Sequence, residues 1–440
     1  MKKILVTMVV LLAAITIALP ASAFEVKYGG LFRVRLQAND SVTASIDNDN
    51  QNFIDQRLRM FFEFIASENL KVVTGFEVDT LWGGEGSKIR FGHRDTINVE
   101  VKHAYVDFMI PCTPVRSKVG LQPLAFMQGW IIDEDFTAAN LSATFDPVTV
   151  TAGYVSEVNA NSATGEGVDE WGQRVDDWYL AVNYAQGPFT AGIVGFYQYG
   201  HDAGPVNAFV SDAPWGTGDN LFDLGVNLGY KMDWANFFVN YVQNLGSYDD
   251  VLTTESVDYR GFMVEAGANF FYGPFTFNLG GFITSGDDDP FDDSNDFFVY
   301  PIGRSHYWSE IMGLGTLENT TGYPGQGDQP SPANTGGYSA GDHPTNIWTV
   351  TAGAAWQILE PTKVSFNYYY LGTHKSVLAD EFGDTSSSLG HEFDLYLDQK
   401  VVDGLMLRLV GAYMIAEDGY SIYSDDPNPW ELGARLQWSF

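Results

Sequence analysis

The clearest alternation in the chain lies at its end, from Trp430 to Phe440. Phe440, Trp438, Leu436, Ala434, Leu432 and Trp430 fall on one face, and Ser439, Gln437, Arg435, Gly433 and Glu431 on the other. A period of two predicts a β-strand. The stretch matches the length of a tilted strand crossing a bilayer, roughly 9–11 residues. One face is apolar with aromatic ends and the other is polar and charged, which suits lipid on one side and water on the other. The soluble alternative is an edge strand of a β-sandwich.

The same rhythm opens the chain. Over 26–38, Tyr28, Gly30, Phe32, Val34 and Leu36 alternate with Lys27, Leu31, Arg33, Arg35 and Gln37. Over 53–66, Leu58, Met60, Phe62 and Phe64 alternate with Asp55, Arg57, Arg59 and Glu63. A turn at Ser67-Glu68-Asn69 leads into a third strand over 70–81. From there short turns with breaker chemistry alternate with long polar connections. The further turns are Pro111 to Pro114, Asp146-Pro147, Gly187-Pro188, Met232 to Trp234, Gly273-Pro274, Glu360-Pro361 and Asp403-Gly404. Long connections fall near 39–52, 82–97, 122–137, 157–176, 200–220, 246–260, 285–345, 373–389 and 416–429. Eight turns and nine connections join eighteen strands and leave both termini on the turn side. If the weak segments 115–121 and 138–145 are not strands, the count is sixteen. The expected fold is all-β: a closed transmembrane antiparallel β-barrel with short periplasmic turns and long external loops. Asn183 to Phe196 and Asn269 to Phe282 share an N-x-x-x-G-P-F-T pattern and read as two equivalent hairpins.

Composition narrows the compartment. Lys2 and Lys3, the apolar run 4–19 and Ala21-Ser22-Ala23 form a secretory signal peptide over 1–23. Residues 24–440 then read as one barrel domain. No later apolar run is long enough for a transmembrane helix. The formal net charge of −33 becomes two units more acidic once the signal lysines are removed. Such acidity argues against a nucleic-acid partner, whose phosphates would be repelled. Cys112 is the only cysteine, so no internal disulfide or CxxC site is available. The seven histidines are scattered, and no H-E-x-x-H, G-x-S-x-G or Walker pattern occurs. The expectation is no enzyme, no cofactor and no specific metal site. The acidic stretches at Asp47/Asp49 and Asp287 to Asp296 lack the EF-hand glycine and glutamate spacing.

The informative chemistry is the charge that points inward once each apolar face points out. Arg33 and Arg35, Arg57 and Arg59, Arg408, and Arg435 lie on four strands that become consecutive when the last pairs with the first. They form one basic wall, because a charged side chain facing lipid is costly. The third long connection carries Asp133, Glu134 and Asp135.

Over its mature length the chain resembles an outer-membrane porin, and most of all the homotrimeric porins of sulfate-reducing bacteria. The residues that carry the likeness are the signal peptide, LFRVRLQA at 31–38, VKHAYVDFMIP at 101–111, SKVGLQPLAF at 117–126 and the aromatic last strand. Its terminal Phe440 also resembles the sorting signal read by the barrel assembly machinery. The resemblance implies a trimer in the Gram-negative outer membrane, in contact with lipid and lipopolysaccharide, that passes small hydrophilic solutes and ions. It implies that the third loop folds inward and that Asp133, Glu134 and Asp135 face the arginines across a constriction. A run like the PEFGG of enterobacterial porins is missing there. A substrate-selective channel for sugars or organic anions, and a non-transporting surface barrel or adhesin, are the alternatives on the same fold.

Overall fold

A computed structural model of the chain describes residues 24–40, 51–82, 99–158, 174–201, 217–249, 256–289, 292–301, 306–317, 338–341, 343–378, 384–420 and 428–440. The signal segment 1–23, Asp47, Asp49 and parts of the long connections lie outside the described residues.

The strands are β1 (Glu25–Asp40), β2 (Gln51–Ser67), β3 (Leu70–Leu81), β4 (Glu100–Met109), β5 (Val115–Phe126), β6 (Ile132–Phe145), β7 (Val148–Val158), β8 (Arg174–Gln186), β9 (Phe189–His201) and β10 (Thr217–Lys231). They continue as β11 (Ala235–Asp249), β12 (Ser256–Tyr259), β13 (Phe262–Tyr272), β14 (Phe275–Thr284), β15 (Ser294–Asn295), β16 (Ile347–Leu359), β17 (Thr362–Leu378), β18 (Thr385–Val402), β19 (Leu405–Ala416) and β20 (Trp430–Ser439). β12 and β15 are short: β12 adds to the end of β11, and β15 runs parallel to it. The other eighteen strands pair antiparallel with their neighbours around a closed ring, and β20 completes it on β1. The sixteen-strand alternative falls away, because 115–121 and 138–145 are parts of β5 and β6.

All eight expected short turns join successive strands. Gly187 and Gly273, in the two Gly-Pro turns, share a φ of 57°. The outward face is apolar along the wall, with Leu36, Leu141, Leu180, Ile193, Leu279, Val350, Leu395 and Leu432 all exposed. Tyr28, Phe145, Trp234, Tyr272, Trp356 and Trp438 are exposed at the turn end. An exposed apolar surface on this scale, ringed by aromatics, is the surface a lipid-facing barrel presents.

The core lies inside the barrel. Two inserts fold inward and pack against the lumen face of most of the wall. The first corrects the expected long connection at 122–137. β5 runs on to Phe126 and β6 begins at Ile132, so the connection is only 127–131. β4 stays paired with β5 as far as Leu121, and β6 with β7 as far as Ala138. Beyond those points the hairpin keeps its own ladder, from Gln122↔Phe136 to Phe126↔Ile132, and leaves the wall. Gly120 sits at this departure with φ 126°, and a Cβ there would lie 2.3 Å from the Ala104 carbonyl oxygen. Pro123 is tolerated just beyond, where β5 has become an edge strand.

The hairpin tip reaches the opposite wall. Met127, Gln128 and Gly129 all have positive φ and reverse the chain. Met127 presses on Gly225 of β10, where an added Cβ would lie 2.8 Å from its Cγ. The Trp130 indole N–H donates to Glu265 of β13 at 2.7 Å, and its ring meets Phe282 of β14 at 5.0 Å. Phe126 meets Tyr179 of β8 at 4.7 Å.

The second insert is the described part of the 285–345 connection. Its strap, 306–317, lies against β18, β19 and β1. Glu392 of β18 accepts bonds from the Ser309 hydroxyl at 3.0 Å and from the Ile311 and Met312 N–H groups at 2.7 and 3.2 Å. Arg35 donates to the Leu317 carbonyl oxygen, and Arg408 to the Thr316 hydroxyl. Trp308, Ile311, Met312 and Leu317 join one apolar cluster with Ile347, Tyr369, Leu371 and Met414 or seal its edge. The two inserts meet where His306 stacks on Trp130, with ring centroids 4.2 Å apart.

Candidate functional site: the lumen wall and its constriction

The register places all six arginines on one stretch of wall, formed by β19, β20, β1 and β2. Arg33 lies opposite Arg57. One ladder row runs Asp55, Arg35, Arg435, Arg408, Asp398 across β2, β1, β20, β19 and β18. The alternation that turns these side chains inward leaves Phe32, Leu36, Leu432 and Leu436 facing out. The β-strand period of two thus sets both the lipid face and the charge row.

The wall carries its own counter-ions. Arg35 is bidentate on Asp55, with contacts of 2.5 and 3.0 Å. Arg57 holds Asp79 at 2.8 Å, Arg59 pairs with Glu77, and Arg408 holds Asp398 at 3.0 Å. Lys71 pairs with Glu63 at 2.7 Å. Fork-on-carboxylate pairing fixes the guanidinium planes and lowers the net charge that a passing solute meets. The depth of burial divides the row. The Arg35 side chain is 3 % exposed beneath the strap, whereas that of Arg59 is 30 % exposed. Arg57, Arg408, Asp79 and Glu134 also keep contact with water. Water-accessible charge therefore runs along β2 to β4 and the nearby hairpin, and recurs at Arg408 on β19. At the turn-side mouth a cavity of about 420 Å³ is lined by Glu25, Lys27, Glu63, Lys71 and Arg116 among others.

Asp133, Glu134 and Asp135 lie at the start of β6, on the inward hairpin. A β-bulge between β3 and β4 leaves Lys102 unmatched in the ladder and turns it toward them. Lys102 contacts Asp135 at 2.8 Å and Glu134 at 3.5 Å, and His103 contacts Asp135 at 3.1 Å. These pairs tie the root of the hairpin to β4. Asp133 has no ion pair among the described residues and is exposed.

Sequence reasoning missed the groups that hold the inserts in place: Lys102, Glu265, Glu392 and Asp394, which accepts from the Glu310 N–H of the strap at 3.2 Å. A bulge is not visible in the alternation, so the inward direction of Lys102 had no signal. Glu265 had one, as the one carboxylate of an otherwise apolar strand, and Glu392 had one in its place on the polar face of β18. Among the described residues no group of three His, Cys, Asp or Glu side chains could hold a metal ion.

No family profile and no curated relative matches the sequence. Solved structures match its fold over nearly the whole chain. OpdK of Pseudomonas aeruginosa with vanillate gives a TM-score of 0.57 at 12% identity, covering 94% of this chain and 98% of that one. OccAB1 of Acinetobacter baumannii gives 0.56 at 12% identity, covering 94% and 97%. A BenF-like porin of Pseudomonas fluorescens Pf-5 gives 0.54 at 10% identity, covering 94% and 98%. The likeness supports the broad resemblance to outer-membrane porins and carries nothing about the porins of sulfate-reducing bacteria.

Proposed function

We propose that this chain is an outer-membrane porin, a passive channel for small hydrophilic solutes and ions. One observation carries the proposal: a closed eighteen-strand barrel with an apolar outer face and a charged inner face. Lipid outside and water inside are the two solvents that such a wall satisfies. The solute path follows the water-accessible charges of β2 to β4, past the acidic root of the hairpin. No part of this reading requires a reaction or a cofactor. The homotrimer, the lipopolysaccharide contact and the finer kinship with porins of sulfate-reducing bacteria belong to the proposal as what the sequence resemblance implies.

A substrate-selective channel is the second reading. It is favoured by the two inserts, which pack against the inner face of the wall and narrow the lumen. OpdK, one of the structural neighbours, has been crystallised with vanillate.

Single-channel recording in planar bilayers tests both. Large steps that sugars, phosphate, dicarboxylates and vanillate leave unblocked support the general porin. Block by one class of solute supports the selective channel. No conductance removes both and leaves a surface barrel.

A further inference from the structure

Behind the strap, the lumen faces of β1 and β20 carry three polar side chains without partners. Asn39 lies directly opposite Glu431 in the ladder, and Gln37 is the next inward residue on β1. Glu431 is 0 % exposed, Gln37 1 % and Asn39 3 %. Both carboxylate oxygens of Glu431, both amide atoms of Gln37 and the amide nitrogen of Asn39 are buried without a hydrogen bond. Cross-strand and diagonal neighbours on one face bring such long side chains within reach of each other. Leu317 of the strap lies over Gly433, two residues along β20 from Glu431, where a Cβ would come within 2.4 Å of it.

The surroundings are negative. Glu310 of the strap and Glu392 of β18 act on Glu431 as like charges, and Arg35 is the opposing cation. Arg35 is already bidentate on Asp55. A buried carboxylate with no donor and like-charged neighbours is among the costliest groups a folded chain can hold. A bound cation removes that cost directly.

We propose that Glu431, with the side-chain oxygens of Asn39 and Gln37, binds a divalent cation of the calcium type at the seam between the first and last strands. The donors are all oxygen, with no imidazole or thiolate, which selects a hard cation over zinc. One carboxylate and two amide oxygens leave room for water in the shell. Calcium accepts such mixed, irregular shells, whereas magnesium demands near-ideal octahedral geometry. This goes beyond permeation: the cation fastens the seam and the floor on which the strap rests.

The test is calcium titration of the purified full-length protein in detergent after stripping with EDTA. The parent should show one saturable site per chain above the weak background of its acidic external loops. Glu431→Gln should lose that site and keep the background. Asp292→Asn with Asp293→Asn should lower the background and keep the site. Thermal unfolding should shift upward with calcium in the parent and not in Glu431→Gln. If Glu431→Gln does not yield a folded barrel, Gln37→Leu serves instead, with binding about tenfold weaker on loss of one oxygen ligand. No saturable site in the parent, or an undiminished site in the folded variant, overturns the proposal.

Discussion

Arg35 and Arg57 show why a row of arginines is not automatically a free basic surface. Arg35 is buried against Asp55 and the strap, whereas Arg57 keeps an edge in water beside Asp79. Both charges point inward for the same reason, the cost of an arginine in lipid. What they do next depends on their cross-strand neighbours. Replacing Arg33 and Arg57 by Glu reverses two charges and leaves Asp79 and Asp55 in place. At separations near 8 Å in water each unit of charge is worth about 0.5 kcal/mol to a passing ion, before screening. The double variant should therefore shift the reversal potential toward cations, several-fold in permeability ratio at low salt and less at high salt. A reversal potential equal to that of the parent removes the wall from the path. Trp130 is a residue of the other kind. It is fully buried, and its indole N–H donates from the hairpin tip to Glu265. Trp130→Ala should loosen the tip by about 3–5 kcal/mol of lost packing. Larger conductance steps from a barrel of unchanged strand content are expected, and equal steps would mean that the tip does not limit the path.

The hairpin and the strap are where alternation stops being a sufficient guide. Turns such as Gly187-Pro188 and Asp403-Gly404 were legible because their chemistry dictates the backbone reversal. The outward faces were legible because lipid accepts only apolar side chains. The hairpin over 122–137 read as a loop because Pro123 and Gly129 punctuate it, yet Pro123 only requires an edge strand. The acids Asp133 to Asp135 stood out in the sequence, but Lys102 did not, since a bulge shifts the parity without a sequence mark. The strap and the hairpin tip were invisible as structures, although the surfaces they dock on were not. β17 carries Tyr368, Tyr369, Tyr370 and Leu371 in succession, and β9 carries Ile193, Val194 and Phe196 on opposing faces. Strands apolar on both faces are buried on both faces, so something had to cover them from within. Glu392 is the strap's main clasp, accepting three of its hydrogen bonds. Bonds to a charged group contribute about 1.5–3 kcal/mol each. Glu392→Ala should release 306–317 to limited proteolysis from the outer side while the strand content of the barrel persists. Equal cleavage of parent and variant would place the hold elsewhere, in the Trp308–Tyr369 contact or the Leu317 packing.

At the scale of the whole molecule the barrel separates two solvents, and that separation can be tested without any solute. On β14 the side chains alternate cleanly: Phe277 and Leu279 are exposed on the outside, and Thr276 and Asn278 face the lumen. Leu279 is 56 % exposed, so in water it would be free to become arginine at almost no cost. In lipid the same change near the middle of the span costs about 2–4 kcal/mol. Thr276→Arg, three residues away, faces inward on the same side as Asn278, away from lipid, and should cost little. The two variants carry the same added charge on the same strand, so differences in expression or net charge cancel. Folding into lipid vesicles, followed by urea titration, should show Leu279→Arg destabilised by that amount and Thr276→Arg close to the parent. In a soluble sandwich the order would vanish or invert, because the outer face would already be hydrated. The order therefore reports which side of the wall meets lipid. It does so through the alternation that first marked the closing strand, where Leu432 and Leu436 face out and Arg435 faces in.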